Sequence, residues 1–197
     1  ARAVRAALPH IHLIACNGLA TLEQLKALKE AGVNSYNHNS ESSKNHYAKI
    51  CTTHSWEERY QTCLHVKESG LYLCSGGIFG LGESREDRTS FIESIKELSP
   101  ATMPLNFYHH NPSLPLKAEP LSEEEALEII KEVRAALPQT MLMVAGGREI
   151  TFKNRQCDIF AAGADAIVIG DYLTTKGQAP VEDLEMIRNL GYEIAKE

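Results

Sequence analysis

The chain has 197 residues, 43% hydrophobic and 23% charged, the balance of a folded domain with one sizeable core. Its net charge of −6, with both signs interspersed and no basic tract, argues against a nucleic-acid partner, because phosphate contacts need clustered Lys and Arg. No apolar run approaches the roughly 18–20 residues that span a bilayer, which argues against a membrane partner, and the N-terminal ARAVRAALPHIHLIAC lacks the layout of a signal peptide, so a cytoplasmic location is expected.

Residues 1–8 read as the tail of a helix. Strands are predicted near 11–16, 33–37, 71–75, 103–107, 141–146 and 166–170, with helices between them. QLKALKEAG stops at Gly32 before VNSYN, TCLHVKESG at Gly70 before LYLCSGG, and CDIFAAG at Gly163 before ADAIVIG. Gly just past a helix end is the residue that takes the left-handed conformation there. Helix starts are marked by Thr21 with Gln24, Ser55 with Glu58 and Ser122 with Glu125, all at capping-box spacing. VRAALP occurs at 4–9 and again at 133–138, each time before an apolar run, which suggests repeated βα units. Strict alternation predicts a parallel sheet, either doubly wound or a (β/α)8 barrel. Six strands fit the former as they stand, while the helix tail hints at a barrel whose earlier units are missing. With no linker or low-complexity stretch, residues 1–197 form one domain.

Both folds place sites at the C-terminal ends of strands. Those ends carry Cys16; Asn37, His38, Asn39, Ser40 and Glu41; Cys74 before Gly76-Gly77; Asn106; Arg148 after Gly146-Gly147; and Thr174-Thr175 after Asp171. The five cysteines contain no C-x-x-C pair, which speaks for a reducing compartment. Cys16 and Cys74 should face one cavity, and thiolate is what an iron–sulfur cluster requires. Cys51, Cys63 and Cys157 are read as packing residues, and Cys51/His54 as zinc half-site spacing without a second half.

Asn37, Asn39 and Glu41, at i, i+2 and i+4, should point one way and offer donors and acceptors to a ribose diol or a urea-like group; a turn with a first-turn carboxylate is the plainer alternative. GGIFGLGES (76–84) could cradle a phosphate, lie against a flat ring or simply permit a turn. Arg148 would ordinarily be an anion clamp or a rim residue, and Thr174-Thr175 could receive a carboxylate or start a helix. His109-His110 is read as loop lining the cavity.

Together YNHNSES, CSGGIFGLGES, PLNFYHHNPSLPL, VAGGRE and GADAIVIGDYLTT resemble biotin synthase, of the radical S-adenosylmethionine superfamily, from about residue 11 to the C-terminus. The resemblance implies an α/β fold, a (β/α)8 TIM-type barrel with about six βα units in this chain. It implies sulfur insertion into dethiobiotin, with a [4Fe–4S] cluster reducing S-adenosylmethionine to a 5′-deoxyadenosyl radical and a [2Fe–2S] cluster supplying sulfur. By motif match, Cys16, Cys74 and Arg148 correspond to [2Fe–2S] ligands and are the catalytic set. Asn39 and Glu41 match the residues holding S-adenosylmethionine. Asn37, Asn39 and Asn106 match the group around the dethiobiotin ureido ring, and Thr174 and Thr175 the receiver of its carboxylate tail. An electron donor such as flavodoxin and a homodimer are implied as partners. Arginine as an iron ligand does not follow from its chemistry, since a protonated guanidinium has no lone pair.

The family's C-x3-C-x2-C loop, and a further [2Fe–2S] cysteine from its second strand, are not in this sequence. The chain is therefore expected to be a barrel lacking its first two βα units, unable by itself to reduce S-adenosylmethionine. The alternatives are a lipoyl synthase-like or other radical enzyme, since NHN followed by an acid is shared with lipoyl synthase, and a non-catalytic ligand-binding remnant.

Overall fold

A single all-parallel, seven-stranded sheet organises the computed structural model, which describes residues 1–172 and 176–195. Its strands are β1 (Ile14–Ala15), β2 (Ser35–Asn37), β3 (Tyr72–Cys74), β4 (Gly77–Phe79), β5 (Thr102–Phe107), β6 (Met141–Val144) and β7 (Ala166–Ile167). They pair in the order β1-β2-β3-β5-β6-β7, and β4 lies beside β5 as a continuation of β3 beyond a break at Ser75-Gly76. The six expected strands are all present. The seventh, β4, falls where the glycine run predicts a loop.

Helices α1 (Arg2–Ala7), α2 (Leu22–Glu30), α3 (Lys44–Ile50), α4 (Trp56–Ser69), α5 (Arg85–Leu98), α6 (Glu123–Ala136), α7 (Arg148–Phe152), α8 (Asp158–Ala161) and α9 (Pro180–Asn189) complete the alternation. Thr21 and Ser55 form full capping boxes, whereas Ser122 accepts from the Glu125 backbone without the return bond. Ser84 makes a further box with Asp87, in which the shorter acid replaces the usual Glu. Gly70 and Gly163 take positive φ as expected of residues closing a helix.

One sheet face is the core. Tyr36, Leu73, Met103, Leu105, Leu142 and Val144 are buried against Leu25, Val66, Ile95, Ile129 and Ile130 of the helices. Each fully buried apolar side chain contributes about 1.5–3 kcal/mol relative to exposure. The alternate strand positions turn the other way. There Ile14, Tyr72 and Met141, at the starts of β1, β3 and β6, are 55%, 63% and 50% exposed. The second face is thus open at its lower end.

The repeated VRAALP has a structural meaning. Arg5 Nε donates to the Gly32 carbonyl at 3.0 Å, Nη1 to the Pro9 and Ile11 carbonyls, and Nη2 to Asn34 Oδ1. Arg134 does the same with Gly163 O at 2.9 Å, the Leu137, Pro138 and Thr140 carbonyls, and Asp165 Oδ2. Asn34 and Asp165 each accept in turn from the backbone of the preceding strand, at Leu13 and Leu142. Each arginine clasps one βα unit to the next.

Candidate functional site

At the upper ends of β1, β2 and β3 the register sets Cys16, Asn37 and Cys74 side by side. Asn37 pairs with Cys74, and its Nδ2 lies 3.8 Å from Cys16 Sγ. Cys16 is exposed, while burial, reinforced by Cys16, pushes the Cys74 thiol up to about 11. The Cys74 thiol ionises readily only when a cation takes the proton's place, which suits an iron–sulfur cluster.

Beyond Asn37 the chain leaves the sheet in a way that pure extension does not anticipate. Glu41 adopts φ 66, a left-handed conformation costing an L-residue roughly 1–2 kcal/mol. It is held there because Ser40 and Glu41 N–H both donate to the Gly76 carbonyl and Glu41 O accepts from Ile78 N at 2.9 Å. The expected same-facing i, i+2, i+4 row is therefore broken at its last member. Asn39 Oδ1 accepts from Gly76 N at 3.2 Å. Burial raises the Glu41 carboxyl, against the pull of Arg59, whose Nη1 is 3.7 Å from Glu41 Oε1 and 2.9 Å from the Asn39 carbonyl.

This segment concentrates unpaired polarity. Asn37 Oδ1, His38 Nε2, Ser40 Oγ and Glu41 Oε2 are all buried without a hydrogen-bond partner. A buried polar atom left unpaired costs about 1–3 kcal/mol. Four within five residues make the densest such run among the described residues.

Gly76 and Gly77 do not cradle a phosphate. A Cβ at Gly76 would stand 2.0 Å from Pro104 O, and one at Gly77 would stand 2.4 Å from Glu41 O. Each is glycine because a neighbouring backbone leaves no room for a side chain, β5 beside Gly76 and the 39–41 segment beside Gly77. Asn106 likewise serves as a bracket, donating to Gly77 O at 3.1 Å and accepting from Gly146 N at 2.9 Å. One N–H and one lone pair of its carboxamide stay available.

Arg148 departs most from expectation. It is fully buried, and its guanidinium donates to Asp183 Oδ2 of α9 at 2.8 Å, to Glu149 Oε1 at 3.0 Å and to Gln156 Oε1. Burial works against its charge, but the Asp183 hydrogen bond and both carboxylates hold the guanidinium protonated. Glu149 also accepts from Tyr172 Oη and Gln178 N, so the group ties α7 and α9 to the segment after β7. A cation so committed offers iron no lone pair, and none of its hydrogen-bond partners is a cysteine. In the structure these contacts give Arg148 a bracing role between α7 and α9.

Thr174 and Thr175 lie outside the described residues. Cys63 is buried as expected, whereas Cys157 is exposed and Cys51 half-buried, so neither is a core residue. Arg59 was missed: nothing in WEERY marks it, and only the fold brings it to Asn39 and Glu41. Among the described residues, no three His, Cys, Asp or Glu side chains form a group able to hold a metal ion, and no helix is long and apolar enough to cross a membrane.

Comparison with known proteins identifies the family. Residues 1–95 match the Radical SAM superfamily and residues 104–193 the Biotin and Thiamin Synthesis associated domain. The chain is 54% identical to the biotin synthase of Aliarcobacter butzleri (strain RM4018), over 99% of this chain and 69% of that protein. It is 55% identical to the biotin synthase of Campylobacter jejuni subsp. jejuni serotype O:2, over 100% of this chain and 71% of that one. Among solved structures, methylornithine synthase superposes with a TM-score of 0.78 at 16% identity, covering 99% of this chain and 62% of that one. The FeFe-hydrogenase maturase HydG from Carboxydothermus hydrogenoformans gives 0.77 at 16% identity, covering 96% and 49%. These two likenesses speak for the fold alone. With more than half its residues identical along virtually its whole length, the chain belongs to the biotin synthase family.

Proposed function

We propose that this chain contributes the substrate and sulfur-donor region of an enzyme that inserts sulfur into dethiobiotin at the expense of S-adenosylmethionine. The observation that carries the reading is the run of unpartnered buried atoms at residues 37–41, flanked by the Cys16–Cys74 pair. Asn39 and Glu41 would hold the ribose of S-adenosylmethionine, with Arg59 opposing the upward push of burial on the Glu41 carboxyl and fixing the Asn39 backbone. Asn37, Asn39 and the free half of the Asn106 carboxamide would orient the ureido ring, and Thr174-Thr175 would receive the carboxylate.

Cys16 and Cys74 would hold a [2Fe–2S] cluster, two soft donors whose protons a metal centre displaces. When bound, that group supplies the sulfur atom. A [4Fe–4S] cluster does not fit the residues present, since no C-x3-C-x2-C occurs in this sequence. The same reading includes a barrel domain lacking its first two βα units, a flavodoxin-like electron donor, a homodimer and a cytoplasmic setting.

The test is reconstitution of the intact protein with iron, sulfide, S-adenosylmethionine, a reductant and dethiobiotin. Biotin should form, and an octanoylated carrier protein should not be turned over in its place. Absence of biotin, or turnover of the octanoyl substrate, would overturn the reading. Cys74→Ala should abolish the [2Fe–2S] visible absorption of the reconstituted protein while leaving any [4Fe–4S] signal intact; persistence of both chromophores would remove Cys74 from the ligands.

A further inference from the structure

Away from the strand ends, α3 and α4 diverge to form a cleft of about 640 Å³. Its wall holds a group of polar and nucleophilic side chains that the proposed reaction does not use. Cys51 caps the end of α3, its N–H bonded to the Tyr47 carbonyl, so the thiol is fixed at the turn. Its Sγ lies 3.5 Å from Thr53 Oγ1 and 3.7 Å from His54 Nδ1, and those two atoms are 2.7 Å apart. The Tyr47 hydroxyl, which accepts from Arg59 Nε at 2.6 Å, stands near the same sulfur. A phenol polarised by a guanidinium is a better donor to sulfur than a free one.

The remaining charges around the cleft do not oppose this. Lys44 of α3 and Glu57 of α4 neutralise each other at 2.6 Å, and Glu58 is turned into the capping box of Ser55. Thus the sulfur meets the polar side chains of Thr53 and His54 in the loop, and no carboxylate hydrogen-bonds to it. Together Tyr47, His54 and Thr53 draw the thiol down to about 5.

We propose that Cys51 is a covalent modification site for small disulfides that enter the α3–α4 cleft. The Cys51 thiolate, its proton lost to solvent, attacks one sulfur of the disulfide. A new Sγ–S bond forms as the old S–S bond breaks, and the departing thiolate takes up a proton from solvent. Cys51 sulfur is oxidised and the leaving sulfur reduced, so one thiol and one disulfide give one mixed disulfide and one thiol. The size of the cleft favours a reagent larger than a peroxide: sites for small organic molecules run to about 300–1,000 Å³, whereas one water occupies about 30 Å³.

The other cysteines supply the contrast. Cys63 and Cys74 are buried, Cys16 belongs to the strand-end site, and Cys157 is exposed, the internal reference for an ordinary accessible thiol.

The experiment treats the intact protein anaerobically with 4,4′-dithiodipyridine from pH 4 to 9. Released thiopyridone gives the rate, and peptide mass spectrometry locates the adduct. At pH 6 Cys51 should react about tenfold or more faster than Cys157, with its rate half-maximal near pH 5, where its thiol ionises. His54→Ala and Tyr47→Phe should each move that midpoint upward by about one unit or more. Equal rates at Cys51 and Cys157, or a Cys51 midpoint at the ordinary thiol value of about 8.5, would overturn the proposal. The wild-type comparison decides even if a variant fails to fold.

Discussion

His38 sits in the middle of the polar strand end with its imidazole buried, and burial, helped by the charges of Arg59 and His54, lowers it to about 4. The folded protein therefore keeps it neutral where the unfolded chain, near the ordinary histidine value of 6.5, binds a proton. The lowered base contributes stability that is full above pH 6.5 and is lost as pH falls through about 4. The melting temperature should decline across that window, and His38→Gln should flatten the decline. Glu41, raised by burial, carries the opposite sign over the acidic range, so the difference between the two proteins isolates the imidazole. Arg148 poses a different question at the same scale. Asp183→Ala would leave a buried guanidinium short of its counter-charge, at a cost of about 3–5 kcal/mol in urea unfolding. Replacing both partners together, Arg148→Met with Asp183→Leu, should recover much of that loss and leave the cluster absorption of the reconstituted protein unchanged. An altered chromophore in the stable double variant would place Arg148 among the ligands.

At the scale of elements, the tight seam is where β4 meets the 39–41 segment. Gly77→Ala would drive a methyl into Glu41 O and into the Phe91 ring, at 2.4 and 2.6 Å. Overpacking of this kind costs about 1–3 kcal/mol, and pushing Glu41 aside should weaken S-adenosylmethionine binding by more than the stability loss alone explains; calorimetry on the folded variant separates the two effects. β4 was illegible beforehand because GGIFG presents the same glycines to the eye whether they permit a turn or a close approach between backbones. The other strands and the helix starts were legible because alternating apolar runs, caps and terminal glycines act locally. The pairing of Cys16, Asn37 and Cys74 could be anticipated from strand ends alone, because adjacent parallel strands in register bring their tips together. The fate of Arg148 could not, since it depends on Asp183, 35 residues away in sequence. Cys51 misled for a related reason: it closes an apolar-looking turn of helix, yet its neighbours in space are Tyr47, Thr53 and His54.

Across the whole molecule, α/β alternation gives a sheet whose end strands, β1 and β7, each have a single neighbour among the described residues. Unpaired edges of that kind invite association. Holding each end strand to its neighbour is one arginine clasp, Arg5 at the first joint and Arg134 at a late one. The two differ by a single charge, Asn34 standing where its counterpart has Asp165. A neutral carboxamide is indifferent to electrolyte, while an exposed ion pair is screened within a Debye length of about 8–10 Å at moderate salt. Raising ionic strength should therefore speed amide hydrogen exchange around residues 163–167 before it does so around residues 32–36. Loosening of the molecule then has a direction written into it, starting from the joint that relies on charge and reaching last the one that does not.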